Sequence, residues 1–290
     1  MGWTASHRLP ASSGRPIVAM AGRPALSGDL RGLAALTQAA GFHAIDLDLT
    51  RSIIPPRWRE PELEDVWTGL RVRSCWLPAT LSGPFARRRA AALLAFLRRA
   101  RDEAGLRTVV LPRSASGRGV PMAATVRELT TGNAGTSLKL AIAVDAATLA
   151  ASRSQRSAIQ SIRRMAEEWD LEIALDLTVP TNTAWEAEAA VLRLLPRLRL
   201  VRLPCRTEDD VVDAGARIVA RTVAMLADQG FTGTFGLMPP PATLLRPHLS
   251  KDAHQAIRGY QSIMARYERI ERDLAADPRL RQLPESSDPR

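Results

Sequence analysis

The sequence predicts an α/β protein, a single-domain (β/α)₈ barrel of the TIM type. Short aliphatic and β-branched runs alternate with longer amphipathic runs from end to end, the pattern of strand-then-helix units around a parallel sheet. The strand-like runs number eight, which favours closure over an open sheet. A chain of 290 residues also suits one such barrel, since about 250 residues are typical. The barrel is expected over residues 15–277, with polar tails at 1–14 and 278–290.

The first strand is expected at Pro16 to Ala21, followed by a helix at Asp29 to Ala40 that Asp29 can cap and Gly41 can close. The second strand, His43 to Leu49, runs into Thr50 to Asp65, where Pro55, Pro56 and Pro61 predict an irregular rim loop with at most a short helix. Strand three at Leu70 to Leu77 precedes a helix at Pro84 to Ala104, ended by Gly105. Strand four is Thr108 to Pro112, and the Gly- and Ser-rich Ser114 to Pro121 predicts a mobile loop before a helix at Met122 to Thr131.

Strand five, Leu138 to Asp145, leads to a helix at Ser154 to Trp169 with Ser154 as cap, and strand six is Leu171 to Leu177. A helix at Trp185 to Leu195 precedes strand seven at Leu198 to Leu203. A helix at Asp210 to Gln229, stopped by Gly230, precedes strand eight at Thr232 to Leu237. The last helix, Lys251 to Ala276, carries Ile257, Tyr260, Ile263, Met264 and Tyr267 at helical spacing, a stripe that packs on its own barrel or on a second copy in a homodimer.

Composition narrows the function classes. The 40 basic residues exceed the 30 acidic ones, giving a formal charge of +10, yet the excess is dispersed. Arg87, Arg88, Arg89, Arg98, Arg99 and Arg101 share one predicted helix, and Arg163 with Arg164 another. Neither group is interleaved with aromatics that would stack bases, so solvated helix faces are expected and no specific nucleic acid. Cys75 and Cys205 are too few for a disulfide framework or a thiolate metal site, and no apolar run approaches the roughly 20 residues of a membrane span. A cytoplasmic protein with no membrane partner is the expectation. Cys75 reads as a small core hydrophobe; Cys205, beside Arg206, has the more reactive setting.

The stretch "LAALTQAAGFHAIDLDL" resembles the opening of the sugar phosphate isomerase/epimerase superfamily, the xylose-isomerase-like TIM barrels. "LKLAIAVDA" is similar to that family's fifth strand, "LEIALDLTVP" to its sixth, and "GFTGTFGLMPP" to its last helix-to-strand turn; order and spacing agree from Pro16 to Pro240. The resemblance implies isomerase or epimerase activity on a small sugar-like molecule and a divalent metal (Mn, Mg, Co or Zn), polarising sugar oxygens while a carboxylate moves the proton. It places Asp145 and Asp176 as metal ligands or catalytic carboxylates. The rest of the family's ligand set is missing: Thr178 and Pro180 stand where a His belongs, Arg202 or Pro204 in the strand-seven region, and Leu237 and Met238 in place of the terminal Glu. His7, His43, His248 and His254 fall elsewhere. An incomplete metal site, or none, is therefore expected, and the three-metal endonuclease-IV branch of the superfamily lacks its His and Glu ligands here.

Active sites of such barrels gather at the carboxyl ends of the strands, which predicts one rim holding Asp48, Asp145 and Asp176 beside Trp76, Arg113, Thr178, Arg202 and Arg206. Alternation puts Ala141 and Ala143 on the face of Asp145, Ala174 on that of Asp176, and Ala44, Asp46 and Asp48 together. Arginine forks would suit an anionic polyhydroxylated substrate. The competing expectations are that the aspartates are buried partners of the arginines, that Trp76 is core rather than a sugar platform, and that the chain is a non-catalytic binding or scaffold protein on an isomerase-like barrel.

Overall fold

The computed structural model describes residues 17–22, 30–39, 42–50, 69–82, 84–112, 120–121, 126, 138–145, 155–178, 191–204, 225–226, 229, 231–238, 272 and 276. Strands lie at Ile17–Gly22 (β1), Ala44–Asp48 (β2), Arg71–Trp76 (β3), Thr80–Leu81 (β4), Thr108–Leu111 (β5), Val120–Pro121 (β6), Lys139–Asp145 (β7), Glu172–Asp176 (β8), Leu198–Pro204 (β9) and Thr234–Met238 (β10). Helices are Leu30–Ala39 (α1), Ala86–Asp102 (α2) and Gln155–Glu168 (α3).

Eight strands, all parallel, close in the order β1-β10-β9-β8-β7-β5-β3-β2, and β2 returns to β1. The protein is thus a (β/α)₈ barrel, as the alternation of its sequence predicts. Each barrel strand falls within a residue or two of its expected position. The described helical residues Val126, 191–194, 225–226, Arg272 and Ala276 lie inside further expected helices; of the rest of those helices only Leu195, in a 3-10 turn, and Gln229, in a turn, are described, and the caps Asp29 and Ser154 and the stops Gly41 and Gly230 lie outside the described residues. Gly105 does have the positive φ, 72°, that closes the end of α2. At the end of α3 that conformation falls instead to Asp170, φ 47°, which an acidic side chain tolerates better than most.

The loop expected at Ser114 to Pro121 needs one correction. Its last two residues, Val120 and Pro121, pair antiparallel with Leu81 and Thr80, joining the connections that follow β3 and β5 above the carboxyl end of the barrel. A ladder this short leaves no period-two pattern to read, and Pro121 offers only its carbonyl.

Two apolar layers hold the barrel. The larger lies between strands and helices: Leu93, Phe96, Leu97 and Ala100 of α2 and Ile159, Ile162 and Ala166 of α3 meet strand residues such as Val72, Val109, Ile142 and Ile173. The spacing of those helical positions is one face of a 3.6-residue repeat. The opposite faces carry the arginines, with Arg99 bound to Glu103 at 3.0 Å and Arg101 to Asp102 at 2.7 Å, as solvated faces do. The smaller layer, Trp76, Val110, Ala141, Ala174 and Leu200 with Ala143, comes from the alternate positions of five successive strands and fills the interior. Trp76 is the large member among three alanines, so its indole occupies space those alanines leave. Among the described residues no helix is long and apolar enough to cross a membrane.

Candidate functional site

A buried arginine organises the carboxyl half of the barrel interior. Arg202 sits in the aliphatic run "LRLVRLP" of β9 and is 1% exposed. A guanidinium in that position needs anionic partners, because burying an uncompensated charge costs several kcal/mol. Alternation along β2 supplies them: Asp46 and Asp48 share the inward face, and both are buried. Arg202 Nε donates to Asp46 Oδ2 at 2.5 Å and Nη1 to Asp48 Oδ2 at 3.3 Å. Ser74 Oγ of β3 donates to Asp46 Oδ1 at 2.5 Å. The guanidinium carbon lies 3.9 Å from the centroid of the Trp76 ring, a cation–π stack.

This network ties β2 to β9 across the two intervening strands, β1 and β10. Gly236 of β10 makes the approach possible. A Cβ there would stand 2.7 Å from Asp46 Oδ2 and 3.3 Å from Arg202 Cγ. Gly236→Ala is expected to lower stability by about 1–3 kcal/mol through overpacking against an ion pair that cannot retreat. A urea titration measures this, and a loss within ±0.5 kcal/mol would show that the cluster has room to spare.

Burial pushes the Asp46 carboxyl above its usual range, against the opposing pull of Arg202 and the hydrogen bonds from Arg202 and Ser74. The surrounding acids Asp46, Asp48 and Asp176 hold the Arg202 proton more tightly than usual, overcoming the effect of burial. Burial, with Asp46 and Asp48 nearby, also pushes the Cys75 thiol well up, so it packs as an inert core side chain.

Two like turns end β2 and β8, strands on opposite sides of the barrel. At Asp48-Leu49-Thr50 the Oδ1 of Asp48 accepts from the Thr50 backbone N–H at 2.9 Å and its hydroxyl at 2.6 Å. At Asp176-Leu177-Thr178 the Oδ1 of Asp176 accepts from Thr178 N–H at 2.9 Å and its hydroxyl at 2.5 Å. Such a turn fixes the orientation of the carboxylate. The two acids then differ in surroundings. Asp48 is enclosed with its second oxygen on Arg202, whereas Asp176 is only half-buried.

Asp176 pairs in register with Asp145 of β7 on one side and Arg202 on the other. Asp145 is half-buried too. The structure therefore brings Asp48, Trp76, Asp145, Asp176, Thr178 and Arg202 to the carboxyl end of one barrel. Arg113, Cys205 and Arg206 lie outside the described residues, as do His7, His248 and His254; His43 is exposed at the start of β2. Ala141, Ala143 and Ala174 face inward as alternation predicts, but Trp76 and Arg202 take part of the room below the acids.

Asp46, Ser74 and Gly236 were not singled out as site residues by sequence reasoning. The signal for Asp46 was present: a lone arginine in an aliphatic strand, and acids two apart in another, imply each other. Which strands would face one another across the interior depends on closure, and nothing local encodes it.

Asp145 and Asp176 supply adjacent carboxylates, but one oxygen of Asp176 is engaged by Thr178, and the neighbouring interior position is held by a guanidinium. Among the described residues there is no group of three or more His, Cys, Asp or Glu able to hold a metal ion. A hard cation needs about six oxygen ligands, so these residues do not fit one.

No family model matches the sequence, and no curated protein matches it. Solved structures do share its fold. D-psicose 3-epimerase with D-tagatose, from Clostridium cellulolyticum, is 10% identical with a TM-score of 0.55, over 88% of this chain and 99% of that one. Endonuclease IV from Thermus thermophilus is 13% identical with a TM-score of 0.53, over 86% and 99%. The 3-keto-D-glucoside 4-epimerase from E. coli is 14% identical with a TM-score of 0.50, over 87% and 100%. At such identities the likeness is one of fold.

Proposed function

We propose that the chain is an isomerase or epimerase of a small polyhydroxylated substrate, with Asp145 and Asp176 moving a proton at a carbon next to a carbonyl. One observation carries this reading: the two carboxylates are register partners at the ends of neighbouring strands, half-buried where the other interior acids are enclosed. Two sugar epimerases among the structures of the same fold support the substrate class.

Asp176 is the base in this mechanism. Its Oδ1 is held in place by the Thr178 N–H and hydroxyl, and Oδ2 takes the proton from carbon. The electron pair moves into the carbonyl, giving an enediolate. Asp145 takes up a proton from solvent and delivers it to the neighbouring carbon or the opposite face, while Asp176 gives its proton up to solvent, which restores both carboxylates. The charge of Arg202, one strand away, stabilises the anionic intermediate without leaving Asp46 and Asp48. Trp76, stacked on Arg202, forms the apolar floor. Arg202 has two of its nitrogens on carboxylates, so an anionic group on the substrate is assigned to Arg113 or Arg206 instead. The small number of cysteines, Cys75 and Cys205, supports a cytoplasmic location.

The test is to incubate the full chain with a panel of ketoses and their phosphate esters in D₂O, with chelator or with added Mn²⁺. NMR follows exchange of the proton beside the carbonyl. Exchange that persists with chelator and disappears in Asp145→Asn and Asp176→Asn is expected. Exchange in neither condition, or exchange indifferent to both substitutions, sinks the proposal and leaves a binding protein.

A further inference from the structure

We propose that the amino-terminal end of the barrel, opposite the mouth, carries a second site: Arg71, Arg73 and Arg107 bind a small phosphate-bearing anion. The backbone puts the three together. Arg71 opens β3, Arg107 immediately precedes β5, and Arg107 N–H donates to the Arg73 carbonyl at 3.3 Å. The Arg71 side chain runs toward the turn before Arg107, with its Cδ 3.4 Å from where a Cβ on Gly105 would lie. Lys139, whose N–H donates to the Arg107 carbonyl at 2.8 Å, extends the row onto β7.

Arg73 is the unusual member. Val72 faces Ile45 and Ser74 faces Asp46 across the β2–β3 ladder, so Arg73 is the extra residue of a bulge. Bulges re-aim side chains. Arg73 is half-buried, and its Nε is enclosed without an acceptor. A buried N–H left unpaired is costly, and the guanidinium stem cannot swing into water as those of exposed Arg71 and Arg107 can.

The local acids do not answer these charges. Glu172, on the same end of the barrel, is bound to Arg199 at 3.0 Å; Glu103 is bound to Arg99, and Asp170 to Arg197. Among the described residues no carboxylate pairs with Arg71, Arg73 or Arg107. Burial first, then Arg107 and Arg71, loosens the hold of Arg73 on its proton, which is the sign of like charges gathered without a counter-ion. A phosphate group offers three acceptor oxygens and the negative charge that this row lacks, and arginine forks match it bidentately.

Calorimetric titration of the full chain with inorganic pyrophosphate, at ionic strength held constant with NaCl, tests the site. Saturable binding is expected, weakened about tenfold or more in Arg71→Gln/Arg107→Gln. Both positions are exposed, so that variant keeps its fold. Equal binding by the double variant, or heats no larger than those of NaCl alone, overturns the proposal. Tighter binding of single-stranded DNA than of pyrophosphate overturns it too, by assigning the row to nucleic acid.

Discussion

Arg202→Met is expected to lower stability by about 3–5 kcal/mol, the cost of leaving buried carboxylates without their cation. The methionine fills most of the same space, so the loss reports charge more than volume. Asp46 and Asp48 are both buried and would face each other across a site with no counter-charge. Asp46 already has its pKa raised by burial, with Arg202 the chief opposing influence. Removing that influence drives it further up.

The sign of the pH dependence follows. Above the ordinary value of 3.8 the unfolded chain has lost the Asp46 proton, while the native variant still holds it. The variant therefore binds more protons folded than unfolded, and its stability falls as pH rises toward the raised native value. Urea denaturation across that window measures the slope. Adding Asp46→Asn to Arg202→Met should recover part of the loss, because it removes one stranded charge. A loss under about 1 kcal/mol, or no recovery in the double variant, would show that water enters the cluster and that the charges are not buried.

Asp176→Asn is expected to lower turnover in the solvent-exchange assay by about 10²–10⁴-fold, the usual worth of a positioned general base. Asparagine keeps the size and can still accept from Thr178, so the protein should fold normally. Thr178→Val separates positioning from chemistry. It keeps the backbone N–H bond to Asp176 Oδ1 and removes the hydroxyl bond. Losing that bond leaves the carboxylate less firmly oriented, so kcat should fall while KM changes little. An Asp176→Asn variant with undiminished exchange would remove Asp176 from the mechanism.

Much of the molecule is legible in its residues one at a time. Strand positions, the inward set Ala141, Ala143 and Ala174, the Gly105 stop and the solvated arginine faces of α2 all follow from local period and steric preference. The half-buried pair Asp145 and Asp176 follows as well, since both close their strands and strands of a barrel end at one rim. The short β4–β6 ladder, the bulge at Arg73 and the role of Gly236 were not legible. Each depends on a neighbour distant in sequence.

The sequence by itself determined the eightfold strand–helix alternation, the faces of each strand and the end at which the acids gather, because side-chain period and the succession of elements are local properties of the chain. Only the tertiary structure decided which acid belongs to which cation. Arg202 meets Asp46 across a sequence separation of 156, and it turns inward to two aspartates rather than outward to a substrate. Closure of the sheet brings β2 and β9 within reach of each other, and burial in a low-dielectric interior then makes pairing there obligatory.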